Sequence, residues 1–176
     1  MSFLIFIVLA LIVAAVHLYR ERHHLTRGRI PEILLLWLLV IAVGLGSILA
    51  FFGHTVFAAS TAESIGWPTG NPFQTEVAVA NLGVGITGVL CYWIRGNFWL
   101  AAVIPFAVFQ LGAAAVHIQQ IIVAQNYSPD NAGIILYTDI FTPLVLIGLL
   151  AYRWYASRQE REMPHAQQLR GATLNS

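Results

Sequence analysis

Five apolar runs divide the chain, at about residues 2–19, 31–53, 72–94, 98–124 and 133–155, and every arginine lies in the connections at one end of them. Arg20, Arg22, Arg27 and Arg29 separate the first run from the second, and Arg95 separates the third from the fourth. Arg153, Arg158, Arg161 and Arg170 close the fifth run and fill the segment after it. There is no lysine, so all nine basic residues sort to one side. Each run approaches the ~20 apolar residues needed to cross a hydrocarbon core about 30 Å thick. The alternation reads as an all-α polytopic membrane bundle of about five transmembrane helices. Basic residues concentrate in cytoplasmic connections, which puts the N-terminus outside and the C-terminus in the cytoplasm, as an odd number of spans requires.

Composition agrees. Hydrophobic residues make up 58% of the 176 and charged residues only 10%, against about 25% charged in an average soluble domain. The alternating ten-residue segments of a transmembrane barrel are missing. Residues 1–156 are expected to form the bundle and 157–176 a polar, mobile cytoplasmic tail. The first run lacks the leading positive charge of a secretory signal, since its arginines follow it, and reads as an uncleaved first helix. The second run has no breaker after His54 until Gly66-Trp67-Pro68, so its helix is free to continue through "TVFAASTAES". The single cysteine, Cys91, excludes an internal disulfide and a Cys-based cluster, leaving a small packed thiol. No internal repeat is apparent.

The third run opens on "NPFQTEVAVANLGVGITG", residues 71–88. Asn71 suits a helix N-cap, Pro72 the first helical position, and Gln74 the reciprocal position of a capping box. Gly83, Gly85 and Gly88 spell G-x-G-x-x-G, but a dinucleotide fingerprint needs a preceding strand and a turn at the glycines. Mid-helix in lipid they predict a seam where another backbone approaches closely. Asn81, Gly85, Gly88 and Tyr92 share one helical face, from which Asn81 can hydrogen-bond to a neighbouring helix.

Ionisable groups within spans are rare and usually face the bundle or a wet cavity. His54 marks the outer end of the second run, and Glu76 lies about 6 Å inside the third. His117 and Asp139 lie about 10 Å from the outer ends of the fourth and fifth. Ala42, Gly46, Ala50 and His54 form a small-residue stripe, and Gln110, Ala114 and His117 share a face. Pro143 has no N–H to give the carbonyl of residue 139, leaving an acceptor beside the Asp139 carboxylate. Imidazole and carboxylate bind zinc, iron, manganese or copper, so His54, Glu76, His117 and Asp139 are a candidate metal site, with Glu63 as a fifth member. Gln74, Asn81 and Gln110 are secondary polar candidates. The same four groups also suit a proton relay in a small proton-coupled transporter or channel, or a hydrogen-bond network in a structural or accessory membrane subunit. Few polar groups lie further inward (Ser47, Thr87 and Thr142), which counts against transport. Haem between His54 and His117 ranks low, because propionates want cations and the outer side has none.

His17, His23, His24 and His165 read as surface or headgroup contacts, and Trp67 and Tyr127 as interfacial anchors. The arginines suit membrane lipids and require no nucleic acid. A homo-oligomer or a membrane-protein partner both fit a chain of this kind.

His54, Ile65-Gly66-Trp67, Pro72-Phe73-Gln74, Glu76, Asn81 with Gly83, His117, Asn131, Gly133 and Asp139 together resemble a family of small uncharacterised bacterial membrane proteins, a domain of unknown function. The likeness covers roughly residues 50–143. It implies a multi-pass helical fold in the bacterial inner membrane and no particular reaction.

Overall fold

The computed structural model describes the backbone of residues 2–174 and the side chains of residues 3–159. Helix α1 covers Ser2–Arg20. A continuous rod follows, built from α2 (Arg29–Trp37), a π-helical segment (Leu38–Leu45) and α3 (Gly46–Thr55). After it come α4 (Ala58–Ile65), α5 (Phe73–Leu90), α6 (Asn97–Ala124), the short α7 (Pro129–Ala132) and α8 (Ile134–Leu174). There is no strand among the described residues. Five segments are long and apolar enough to cross a membrane: Phe3–Arg20, Arg29–Thr55, Phe73–Leu90, Asn97–Ala124 and Pro129–Gln159.

Three boundaries differ from the sequence expectation. The second rod does not run on through residues 56–65: the backbone breaks at Phe57 (φ −110°, ψ 27°) and resumes as the separate α4. Helix α4 stops at Gly66, whose φ of 80° suits glycine, with Gly66 N–H donating to the Glu63 carbonyl and Trp67 N–H to that of Ala62. This is a Schellman closure. Helix α5 ends at Leu90 rather than residue 94, in a series of turns. Helix α8 crosses the expected boundary at residue 157 unbroken, reaching Leu174. The side chains of Arg161, His165 and Arg170 lie outside the described residues.

The rod Arg29–Thr55 is the centre of the bundle, with 61% of its most apolar stretch buried. Leu35, Leu36, Leu39, Ala42 and Val43 from it meet Ala10 of α1, Trp99, Val103 and Phe106 of α6, and Leu146 of α8 in one core. Its tightest neighbour is α5. A Cβ added at Gly88 would stand 2.7 Å from the Gly44 Cα, and one at Gly85 would stand 2.9 Å from the Gly44 carbonyl oxygen. At Gly88 the two backbones touch with no side chain between them, while the Ile48 and Val89 side chains crowd Gly85 and Gly44, the close approach that glycine permits in membrane helices. Gly44 lies within the π segment, where Gly46 N–H reaches back five residues to the Ile41 carbonyl. Gly83 has nothing within 4 Å and takes no part in the seam. Asn81 is buried, but its amide donates to the Val77 carbonyl of its own helix (3.0 Å) rather than to a neighbour.

At the arginine end the spans are fastened by charge. Arg29 forks onto Glu21 (2.8 and 2.7 Å) and also reaches Glu32 (3.1 Å), which Arg95 approaches at 3.6 Å. The Trp37 indole N–H donates to His17 Nδ1 (2.9 Å). Indole nitrogen is a donor only, so Nδ1 is an acceptor and the His17 proton sits on Nε2, facing Glu21 at 2.9 Å. His17 is thus a bracket between α1 and α2 rather than a headgroup contact. Trp99 is fully buried, with its N–H on the Cys91 carbonyl (2.9 Å) and the Arg153 guanidinium 5.0 Å above its ring. The Cys91 thiol is packed in this core.

The hydrogen bonds from Arg29 and then His17 hold the Glu21 carboxyl well below its usual range, at about 2. A depressed carboxylate contributes stability above its unfolded-state value, and the contribution disappears as pH falls through the folded one. The native chain and Glu21→Gln should therefore melt apart near neutrality and converge as the pH is lowered toward about 2. In detergent denaturation, Gly88→Ala should cost about 1–3 kcal/mol by overpacking. Gly83→Ala should be neutral or gain up to about 1 kcal/mol of helix propensity.

Candidate functional site

At the opposite end of the bundle, a chain of buried polar side chains joins α6 to α7 and α8. Gln110 and His117 are seven residues apart on one face of α6, and Asn131 and Asp139 come from α7 and α8. All four are buried, Asn131 completely. The Gln110 amide donates to Asp139 Oδ1 at 2.9 Å. Asn131 Nδ2 donates to the Asn126 carbonyl (2.8 Å) and leans toward the His117 carbonyl (3.4 Å). Its Oδ1 therefore faces His117 Nδ1, at 2.8 Å, and that ring nitrogen must carry the proton.

The second ring nitrogen then decides the chemistry. His117 Nε2 stands 3.7 Å from Asp139 Oδ2. A neutral ring with its proton on Nδ1 would aim a lone pair at a buried carboxylate. Burying an unpaired charge is costly, so the neutral arrangement of the pair carries one further proton, on Nε2 or on the carboxyl. At 3.7 Å the gap exceeds a direct hydrogen bond. A shift of about 1 Å closes it.

Local sequence explains how these groups are held. Asn126 accepts the Ser128 N–H on Oδ1 (3.0 Å) and donates to the Ile65 carbonyl (2.8 Å), tying the 125–132 connection to the end of α4. A Cβ at Gly66 would collide with Ser128 and Asn126, and one at Gly133 with the Pro129 carbonyl. Both glycines let this platform close tightly. Trp67, immediately after Gly66, lays its ring over the His117 imidazole, with centroids 6.2 Å apart and planes at 23°. The indole thus covers the imidazole as well as suiting an interfacial anchor, since it stays exposed itself, as Tyr127 does.

The four-residue metal site does not assemble. Among the described residues, no three His, Cys, Asp or Glu side chains come together as a metal-holding group. Glu76 is exposed, on the face of α5 turned away from the bundle, and so is Glu63 of α4. Helical rise fixes the depth of a residue but not its direction around the axis, and common depth was all that linked Glu76 to His117. His54 lines a separate cavity of about 400 Å³ with Thr61, Ser64 and Asp130, and its Nδ1 is buried without a hydrogen-bond partner. His117 and Asp139 alone supply two ligands, where zinc sites use three or four from the protein. Gln74 does not close a capping box. Asn71 Oδ1 accepts the Phe73 N–H (3.0 Å), while the Gln74 amide crosses to the Ala58 carbonyl (2.7 Å). Gln74 thereby pins the start of α5 to α4. Sequence reasoning placed Gln110, His117 and Asp139 but missed Asn131 and Trp67 as their partners. The adjacent "SPDNAG" marks a turn at Asn131 without showing what its amide meets.

The chain belongs to a family of unknown function (DUF6790), which residues 1–159 match. The match is wider than residues 50–143 and takes in α1 and the arginine connection that follows it. No curated protein matches the chain. No solved structure matches it either.

Asn131→Ala would leave His117 Nδ1–H and the Asn126 carbonyl without partners, at about 1–3 kcal/mol each. The variant should melt well below the native chain and be cleaved faster by protease in residues 125–133. Gln120→Ala, next to the site in sequence but outside the polar chain, should do neither.

Proposed function

We propose that the chain is a multi-pass protein of the bacterial inner membrane, N-terminus outside, in which the His117–Asp139 pair exchanges one proton with the outer aqueous phase. The observation that carries this reading is the 3.7 Å gap between His117 Nε2 and Asp139 Oδ2, with Nδ1 and Oδ1 already committed to Asn131 and Gln110. The remaining pair of atoms is where a proton can arrive or leave. Trp67 stacks on the same imidazole, so a change in ring charge acts directly on the connection between α4 and α5. An imidazolium under an indole face is also a cation–π pair. Protonation thereby favours a closed Trp67 connection.

The reading is a proton-responsive element rather than a proton conduit. Further inward, Ser47 and Thr142 are buried, and Thr87 spends its hydroxyl on the Gly83 carbonyl (2.8 Å). These groups supply few stepping stones toward the arginine end. A metal-dependent activity is not part of the proposal, because the donor set is two side chains. The alternative of a structural or accessory subunit draws on the full bonding of Asn131, which would clamp α6 to α7 with or without a mobile proton.

Tryptophan emission in detergent-solubilised protein separates these readings. The native chain should show a reversible change in emission as the pH is varied. Trp67→Phe, His117→Gln and Asp139→Asn should each abolish it. In a Trp37→Phe background, which removes the indole bonded to His17, a response that survives His117→Gln overturns the proposal, and a flat profile leaves the structural clamp. Proton flux into proteoliposomes that Asp139→Asn abolishes would instead favour the transporter.

A further inference from the structure

A second feature lies at the arginine end, away from the polar chain. The first half of α6 and the second half of the membrane-spanning part of α8 diverge around an open groove of about 890 Å³. Its walls are apolar, with Leu100, Ile104 and Val108 on α6 facing Ile147 and Leu150 on α8. Ala107 and Ala151 set only methyl groups along it. The lining residues of α6 run from Asn97 to Leu111, about 21 Å at 1.5 Å per residue. That equals half of a bilayer about 40–45 Å thick with its headgroup regions. The groove is one leaflet deep.

Its mouth has the opposite chemistry. Asn97, Arg153 and Ser157 line the end nearest the arginine connections. Among the described residues, no carboxylate pairs with Arg153, whereas Arg29 and Arg95 both have glutamate partners. The Arg153 guanidinium is instead steadied 5.0 Å above the buried Trp99 ring, and Arg158 stacks 3.5 Å above Trp154. Aromatic stacking orients a guanidinium but leaves its net charge unbalanced.

We infer that the groove is a binding site for one anionic phospholipid, with an acyl chain along Leu100–Val108 and its phosphate at Arg153, Asn97 and Ser157. Charge complementarity selects this occupant. An apolar channel one leaflet deep, ending in a guanidinium with no carboxylate partner among the described residues and in two neutral hydrogen-bonding side chains, matches an amphiphile with a single anionic head. A guanidinium fork also suits phosphate oxygens. An apolar helix from a second copy would fill the walls and leave Arg153 without a counter-ion.

The test uses the full chain, delipidated in a neutral detergent, with dioleoyl phosphatidylglycerol or dioleoyl phosphatidylcholine added and counted by native mass spectrometry. One phosphatidylglycerol should bind per chain, about fivefold more tightly than phosphatidylcholine, the discrimination expected of one arginine at a headgroup. Arg153→Gln should bring the two lipids level, while Arg22→Gln should leave the preference intact. Val108 is 70% exposed, so Val108→Trp obstructs the groove without disturbing the core and should weaken both lipids. Ile104→Trp repeats that test from the adjacent turn. The site is overturned by equal binding of the two lipids to the native chain, or by a preference that survives Arg153→Gln. Unchanged lipid binding in both tryptophan variants overturns it as well. A delipidated dimer that Val108→Trp dissociates would assign the groove to a second copy and equally overturn it.

Discussion

Contact between two stretches of bare backbone, Gly44 against Gly85 and Gly88, is the constraint on which the rest of this bundle depends. Lipid tails are as apolar as leucine, so membrane helices gain little from hiding side chains from their surroundings. They gain instead from close packing and from hydrogen bonds across the interface. The glycines set the distance between the central rod and α5. The rod's other faces are then free to receive α1, α6 and α8 around Leu35, Leu39 and Val43. A methyl group at that crossing would push against main chain, which has no rotamer to give.

The two ends of the bundle are joined by different chemistry. At the arginine end, Glu21, Glu32, Arg29 and Arg95 form a charged clasp across two connections, exposed enough to feel salt and pH. At the other end the bonds are mostly made by neutral amides to carbonyls: Asn126 to Ile65, Gln74 to Ala58, and Asn131 to Asn126. Among the described residues, His117 and Asp139 are the ionisable side chains buried there.

Much of the fold was legible because apolar run length and arginine placement are one-dimensional properties of the chain. The five segments long and apolar enough to cross a membrane fall within a few residues of where hydropathy puts them. The glycine seam was also legible, except that Gly83 points away from it. The site was only half legible. His117 and Asp139 share a depth and do meet, with Gln110 reaching Asp139 from two turns further in, but Glu76 has a similar depth to the pair and faces outward. The direction around a helix axis is set by packing, and α5 is oriented by Gly85 and Gly88, whose contact with the rod leaves Glu76 outside. Asn131 and Trp67 were hidden for another reason. Both lie in connections, where no helical period tells which way a side chain turns.

The eight-residue π segment gives the central rod an odd mechanical property. A stretch bonded five residues back, rather than four, holds its residues in wider turns than an α-helix would. Returning it to α geometry would change the rotation between α2 and α3, at about 100° for each residue of slippage. The two halves of the rod therefore behave as one shaft with a slack coupling in the middle. Gly44, caught against α5, sits inside that coupling and keeps it from winding up. The azimuth of His54 and of the whole α3–α4 corner thus depends on a backbone register some 10 residues away.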